Sequence, residues 1–208
     1  RNAIPLYDFP NQRVTSHLIM QSPLRASALR GLGAHANVFA IESFMDELAA
    51  AAGADPVEFR LRHLKDPRAR AVIEAAVQQS GWKPGAPGDG ARGRGMGFAR
   101  YKNLGCYVAV VTEVDIETEP RVTRAWAAVD VGLVVNRNGV INQIEGGVIQ
   151  AASMTLKEQV TFDREHVTSR NWDGYPVMKF TEAPHVEVTL INRPELAPLG
   201  AGEGAMGP

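Results

Sequence analysis

The sequence predicts an α+β fold in which a helical segment precedes an antiparallel or mixed sheet. Apolar residues recur at helical spacing between positions 39 and 77, β-branched runs begin at position 107, and a segment rich in glycine and proline separates the two. We therefore expect an extended N-terminal segment and helical subdomain over residues 1–82, a linker over 83–95 and a strand-rich subdomain over 96–208.

The first 27 residues are predicted to be extended. Pro5, Pro10 and Pro23 interrupt strand-length pieces such as residues 13–20, and proline removes a backbone donor that a central strand needs. This segment should therefore contribute at most short strands.

Three helices are predicted next. Residues 37–52 place apolar side chains on one helix face, with Gly53 as the C-terminal stop. Asp55 and Asp66 each precede a proline, which predicts the N-caps of two shorter helices, the second ending at Gly81. Charged residues along these helices are expected at the surface, where ion pairs contribute little: Asp46, Glu47, Arg60, Arg62 and Arg68.

The second half alternates between strands and a helix. Residues 107–116 and 122–131 predict an antiparallel pair, and residues 185–191 predict a final strand. The helix predicted between them, over residues 138–156, contains Gly146–Gly147, and each glycine would cost an exposed helix about 1 kcal/mol. These two glycines therefore need a packing partner or a ligand.

Composition excludes several classes of protein. Twenty-two basic and 23 acidic residues give a net charge of -1, and the basic residues are too scattered for a nucleic-acid surface. The single cysteine, Cys106, excludes an intrachain disulfide, a four-cysteine zinc site and an iron–sulfur cluster held by this chain alone. No apolar run approaches the roughly 20 residues of a membrane-spanning helix. Because the sequence starts at Arg1, we expect a fragment of a longer polypeptide, and its location, periplasmic or cytoplasmic, is left open.

The last eleven residues, 198–208, hold one carboxylate, Glu203, among four glycines. Glycine is retained where the backbone adopts positive φ or closely approaches another group, so this run predicts a loop pressed against something. A carboxylate held there is a candidate general base. The alternative is a flexible, exposed terminus.

Several separated segments resemble one known family. They are residues 28–33, 39–49, 55–60, 93–98, 143–150 and 200–203, in that order. Together they resemble the C-terminal portion of the molybdenum-cofactor-binding large subunit of the xanthine dehydrogenase/aldehyde oxidase family, closest to the bacterial isoquinoline 1-oxidoreductase-type large (beta) chain. One departure is Leu32, where the family usually has an aromatic residue.

This resemblance implies a hydroxylase that oxidises an aldehyde or N-heteroaromatic carbon with oxygen from water. Glu203 would be the general base at the molybdenum-bound hydroxide. The cofactor would be molybdopterin cytosine dinucleotide, held without a protein ligand on the metal by backbone groups and a few polar side chains. The implied cofactor-binding residues are Arg30, Gly31, Gly33, Gly95, Met96, Gly97, Gly146, Gly147, Gln150, Gly200 and Gly202.

The same resemblance implies partners. They are an iron–sulfur small subunit with [2Fe-2S] clusters, the upstream half of the same polypeptide, the small-molecule substrate and a downstream electron acceptor. The isolated 208 residues are expected to be inactive. One alternative is a non-catalytic assembly or docking domain that does not itself bind cofactor. A generic dinucleotide-binding fold is disfavoured, because no glycine segment follows a strand and opens a helix with an acidic residue at the required spacing.

Overall fold

A four-stranded mixed sheet organises the chain. The computed structural model describes residues 2–22, 24, 28–86 and 88–208. The described residues form helices α1 (Gly33–Ala51), α2 (Pro56–Arg62), α3 (Pro67–Ser80) and α4 (Arg137–Leu156), and strands β1 (Arg92–Arg100), β2 (Tyr107–Ile116), β3 (Pro120–Asp130) and β4 (His185–Ile191). The predicted α+β class with a mixed sheet is confirmed.

The strand order is β1-β2-β3-β4. β1, β2 and β3 form an antiparallel meander, in which Phe98 lies opposite Ala109 and Val111 opposite Trp126. β4 then pairs in parallel with β3, after a crossover that contains α4. A parallel pair requires such a crossover, which brings α4 back across the sheet.

Both faces of the sheet are covered. Alternate residues of a strand point to opposite faces, so each strand contributes to two cores. On one face Phe98, Ala109 and Trp126 pack with side chains from α1, α2 and α3. On the other face Val108 and Ala127 pack with side chains from α4 and the C-terminal loop, residues 200–208. The C-terminal loop is thus part of a core.

The helix ends follow their sequence signals. Asp55 and Asp66 each accept two backbone N–H bonds at the starts of α2 and α3, as predicted for N-caps. Gly81 adopts the left-handed conformation after α3. α1 begins at Gly33, four residues before the predicted start, and ends at Ala51.

One boundary of the sequence interpretation needs correction. β1 begins at Arg92, inside the segment 83–95 that was predicted to be a linker. Residues 13–20 are exposed and form no strand in the described part of the chain. Pro23, which contributed to that interpretation, lies outside the described residues. The division into subdomains itself stays a prediction.

The surface location predicted for the helix charges is wrong for Arg60, whose side chain is 0% exposed. Its Nε donates to Glu42 at 2.9 Å and its Nη1 donates to Asp46 at 2.6 Å. Tyr7 Oη and the Phe98 backbone N–H also donate to Glu42, so one carboxylate joins α1, α2, β1 and the N-terminal segment. Burial raises the pKa of Glu42, and the Arg60 guanidinium opposes that rise.

A second buried carboxylate, at the end of β3, joins another set of elements. Asp130, at the end of β3, accepts bonds from Arg68 of α3 at 2.5 and 3.0 Å and from Arg193 at 2.6 Å. The Gly132 backbone N–H donates at 2.9 Å. Although burial raises the pKa of Asp130, these donors outweigh it and hold that pKa below its ordinary value. Arg68 is therefore also a structural residue.

Among the described helices, none has both the length and the apolar composition that a bilayer crossing requires.

Candidate active site

The C-terminal loop is packed against three parts of the fold. Ala201, Ala205 and Met206 are buried within it. A Cβ placed on Gly204 would lie 2.4 Å from Cys106 Sγ, and one on Gly207 would lie 3.0 Å from Val38. Gly204 and Gly207 are therefore required by close approach, and the alternative of a flexible, exposed terminus is wrong for the buried residues 204–206.

Arg30 ties the loop to α4. Its Nε donates to the Gly202 carbonyl at 2.6 Å, and its Nη1 donates to Gln150 Oε1 at 3.2 Å. Its Nη2 donates to the Gln143 carbonyl at 2.9 Å and to Gln143 Oε1 at 3.1 Å. One guanidinium thus fixes three segments, because its planar donors point in several directions at once.

Of the two glycines of α4, Gly147 has a packing reason. A Cβ on Gly147 would lie 3.0 Å from Ala205 Cβ and 3.6 Å from Arg30 Nη2, and one on Gly146 would lie 3.7 Å from Arg30 Nη1. Gly147 therefore lets the loop approach the helix, whereas a Cβ on Gly146 would make only an ordinary contact with Arg30.

Glu203 lies among donors of hydrogen bonds and positive charge. The Gly31 backbone N–H donates to Oε1 at 3.1 Å, and Tyr101 Oη donates to Oε2 at 2.5 Å. Lys102 Nζ lies 3.8 Å from Oε2. The Glu203 side chain keeps 32% of its surface exposed, so the carboxylate is oriented by the protein and still open to a small molecule.

The backbone before α1 is shaped to reach Glu203. Gly31 has φ of 93°, and a Cβ there would lie 2.9 Å from Met206 Cβ, so only glycine fits. Leu32 follows with φ of 51° and caps α1 without a side-chain hydrogen bond. The first turn of α1 contains no acidic residue, and a carboxylate that contacts the backbone just before this positive end of the helix dipole is that of Glu203.

Seven of the predicted site residues meet around this loop. They are Arg30, Gly31, Gly146, Gly147, Gln150, Gly202 and Glu203. Gly33 begins α1 beside them, and Gly200 is exposed with open space around it.

The other three lie on β1. Gly97 lies against Pro208, since a Cβ there would be 2.5 Å from the Pro208 carbonyl oxygen, and Gly95 is in open space. The Met96 side chain is buried in the core that α1, α2 and α3 share with the sheet. Its role in cofactor binding stays a prediction. The buried position of its side chain does not support that role.

Sequence reasoning missed three polar residues of the site: Tyr101, Lys102 and Gln143. Gln143 lay inside a segment that was singled out, but its partner Arg30 is 113 positions away. Tyr101 and Lys102 lie on a short 3₁₀ turn, Tyr101–Asn103, which has no periodic signal in the sequence.

The thiol beside the loop is not available for chemistry. Burial raises the pKa of Cys106 to about 12, so the thiol keeps its proton and behaves as a small apolar group. The described residues include no group of three or more histidine, cysteine, aspartate or glutamate side chains arranged to hold a metal ion.

A groove of about 310 Å³ lies beside the loop, between α4 and residues 198–201. Apolar side chains such as Val135 and Val140 line it together with the amides of Asn136 and Gln143. The exposed backbone of Gly200 and Gly202 adjoins it. Apolar walls with a few polar groups are typical of small-molecule grooves.

Comparisons with known proteins identify the family of this chain. The molybdopterin cofactor-binding domain family matches residues 11–184. One of the nicotinate dehydrogenase subunits of Pseudomonas putida is 42% identical over 224 aligned positions, covering 100% of this chain and 19% of that protein. The isoquinoline 1-oxidoreductase beta chain of Brevundimonas diminuta is 36% identical over 190 positions, covering 89% of this chain and 24% of the relative.

A solved structure shares the fold. Aldehyde oxidoreductase of Desulfovibrio gigas superposes with a TM-score of 0.66 at 14% identity, covering 86% of this chain and 38% of that one. The chain spans about a fifth to a quarter of the length of the two curated relatives. From the family match and these relatives, the chain belongs to the molybdopterin cofactor-binding domain family of xanthine dehydrogenase-type molybdenum enzymes.

Proposed function

We propose that this chain is part of a molybdenum hydroxylase in which Glu203 is the general base. The observation that carries the proposal is the geometry of one carboxylate. Glu203 is oriented by the Gly31 N–H and by Tyr101 Oη, lies near Lys102, and remains about one-third exposed. Carboxylates placed in this way are suited to accept a proton from a reacting group.

The cofactor would be held mainly by backbone groups. The exposed N-terminus of α1 at Gly33 and the backbone of Gly200 and Gly202 present N–H groups, and Gln143 adds an amide at the groove. Arg30 would support this cradle indirectly, by holding the loop on α4. When bound, the molybdenum pterin supplies the two-electron redox chemistry.

The residues of this chain would move one proton. The Glu203 carboxylate would take it from the oxygen, originally from water, that attacks the substrate carbon. Gly31 and Tyr101 would keep the two carboxylate oxygens in place during that transfer. A positioned base typically accelerates such a step about 10²- to 10⁴-fold.

The substrate would be an aldehyde or, with stronger support, an N-heteroaromatic compound. The two relatives at 42% and 36% identity are named for nicotinate and isoquinoline, which both contain a ring nitrogen. A ring carbon next to such a nitrogen is electron-poor and therefore open to attack by an oxygen nucleophile.

The complete enzyme would contain further parts. We expect molybdopterin cytosine dinucleotide as the cofactor form and [2Fe-2S] clusters on a small partner subunit. Large apolar side chains such as Leu18, Met20, Trp172 and Phe180 are at least 76% exposed, which supports cover by other parts of the assembly. The isolated 208 residues should bind cofactor poorly and show no turnover.

The test is Glu203→Gln in the full-length protein that contains this chain, co-expressed with its neighbouring subunits. Molybdenum and released cytidine monophosphate should stay near the unsubstituted level, while kcat falls by about 10²- to 10⁴-fold. Glu158→Gln is a matched control, because Glu158 also accepts a tyrosine hydroxyl, that of Tyr175, at 2.7 Å.

Retained turnover in Glu203→Gln would overturn the base assignment. Absence of molybdenum from a matured, unsubstituted complex would favour the assembly or docking alternative instead.

A further inference from the structure

Tyr101 and Lys102 both contact the Glu203 carboxylate. Both lie on the turn Tyr101–Asn103 that follows β1. Tyr101 Oη donates to Glu203 Oε2 at 2.5 Å, and Lys102 Nζ lies 3.8 Å from the same oxygen. One turn therefore presents a hydroxyl donor and a cation to a single carboxylate oxygen.

This turn has an unusual backbone conformation. Lys102 has φ of 55° and Asn103 has φ of 59°, a region that residues other than glycine rarely adopt. Strained backbone of this kind persists only where its surroundings hold it, and it clusters at functional sites.

Asn2 holds the turn in place. Its Nδ2 donates to the Arg100 carbonyl at 2.9 Å and to Asn103 Oδ1 at 3.1 Å, and its Oδ1 accepts the Lys102 N–H at 2.7 Å. Asn2 is buried, with an exposed fraction of 7%. The position of the tyrosine and the lysine is thus determined by a side chain about 100 positions away.

We propose that Tyr101 is a positioning residue for Glu203 and that Lys102 assists it, so that the carboxylate stays ionised and oriented at pH values where an unassisted glutamate would gain a proton. The proposal rests on the proposed function of Glu203. Its physical basis is that hydrogen bonds and positive charge directed at a carboxylate favour the ionised form.

An arginine, a histidine and a thiol also lie at the loop. The Arg30 guanidinium donates to the neighbouring Gly202 carbonyl, and His35 Nδ1 lies 2.5 Å from the Met206 carbonyl oxygen. The Cys106 thiol beneath Gly204 keeps its proton, because burial raises its pKa to about 12.

The first experiment titrates Glu203 directly in the cofactor-free, full-length protein. Infrared difference spectra across a pH series report carboxyl protonation, and the Glu203 band is the one that Glu203→Gln removes. We expect Tyr101→Phe to raise the midpoint of this band by about one pH unit, because a donor to a charged group is worth about tenfold in an equilibrium.

The second experiment uses the cofactor-loaded enzyme. On the acidic limb of the kcat profile, where kcat falls as the pH is lowered, Tyr101→Phe should lower kcat by about tenfold. KM and molybdenum content should stay unchanged. Lys102→Gln should move the infrared midpoint and the acidic limb in the same direction by a smaller amount. If Tyr101→Phe does not accumulate as folded protein, Lys102→Gln is the variant that tests the proposal.

Tyr175→Phe is the matched control, since it removes a tyrosine-to-glutamate bond in the crossover after α4. It should leave the Glu203 midpoint and the kcat profile at their unsubstituted positions. A Glu203 midpoint unmoved by Tyr101→Phe would overturn this inference even if Glu203→Gln is inactive. Turnover retained by Glu203→Gln would overturn the proposed function while leaving the infrared result for Tyr101 intact.

Discussion

At the scale of single residues, the chain places charge where the sequence pattern does not show it. Arg60 follows a proline-initiated helix start and looks like an ordinary surface arginine, yet it is completely buried with Glu42. A buried guanidinium must have its donors matched, and here Glu42, Asp46 and the Pro56 carbonyl accept them. The arginine is thus part of the core.

We predict that Arg60→Met destabilises the protein by about 3–5 kcal/mol, because Glu42 would remain buried without its cationic partner. Urea unfolding followed by circular dichroism measures this loss. Arg62→Met, an exposed position on the same helix, is the control and should change stability by less than about 0.5 kcal/mol. A loss below about 1 kcal/mol for Arg60→Met would show that the buried network is not needed.

The sequence could single out Glu203 and Arg30 as candidates because each stands among glycines in a recognisable segment. It could not identify Arg60 as buried, because its partner Glu42 is 18 positions away on a different helix. Nor could it identify Tyr101, whose contact with Glu203 spans 102 positions. Local patterns report local geometry, and these contacts are set by the tertiary fold.

At the scale of helices and strands, prediction was most successful where β-branched residues dominate. The bounds predicted for β2 and β4 coincide with those of the structure, and α4 begins one residue before its predicted start. β1 was missed because Gly93, Gly95 and Gly97 hide its alternation, and its pairing with β2 overrides their weak strand preference.

Substituting the two glycines of α4 by alanine should change the stability of the protein in opposite directions. Gly146→Ala should stabilise the protein by up to about 1 kcal/mol, because alanine favours helix and its Cβ would meet Arg30 Nη1 only at 3.7 Å. Gly147→Ala should destabilise it by about 1–3 kcal/mol, because its Cβ would lie 3.0 Å from Ala205 Cβ. Urea unfolding of both variants checks this, and equal effects would contradict the packing assigned to Gly147.

At the scale of the whole molecule, two buried carboxylates join elements that are distant in sequence. Glu42 connects the N-terminal segment, α1, α2 and β1, while Asp130 connects β3, α3 and the segment after β4. The α+β class was predictable from composition and periodicity. These cross-links were not, because they depend on which faces the sheet brings together.

Asp130 predicts a pH dependence of stability. Its pKa is lowered in the folded state, so its contribution is complete above the pKa of an unfolded aspartate and is lost as the pH falls through the folded value. At pH 7, Asp130→Asn should cost about 2–3 kcal/mol through weakened bonds to Arg68 and Arg193.

The difference in stability between Asp130→Asn and the unsubstituted protein should shrink as the pH falls from about 5 towards 2, roughly the range over which a carboxyl with a lowered pKa gains its proton. Urea midpoints measured across this range test the prediction. Asp173→Asn, at an exposed position, should show almost no difference at any pH. A constant gap for Asp130→Asn would contradict the assigned electrostatic role.

The bond between Arg30 and Gly202 closes a loop of 172 positions, and that between Tyr101 and Glu203 closes one of 102. Closing such loops costs chain entropy that only the assembled sheet and its two cores can offset. The cluster therefore depends on nearly the whole chain being present and folded at once. A peptide containing only residues 28–33, or only residues 200–203, would carry the recognisable motif. It would lack the arrangement of groups that surrounds that motif in the folded chain.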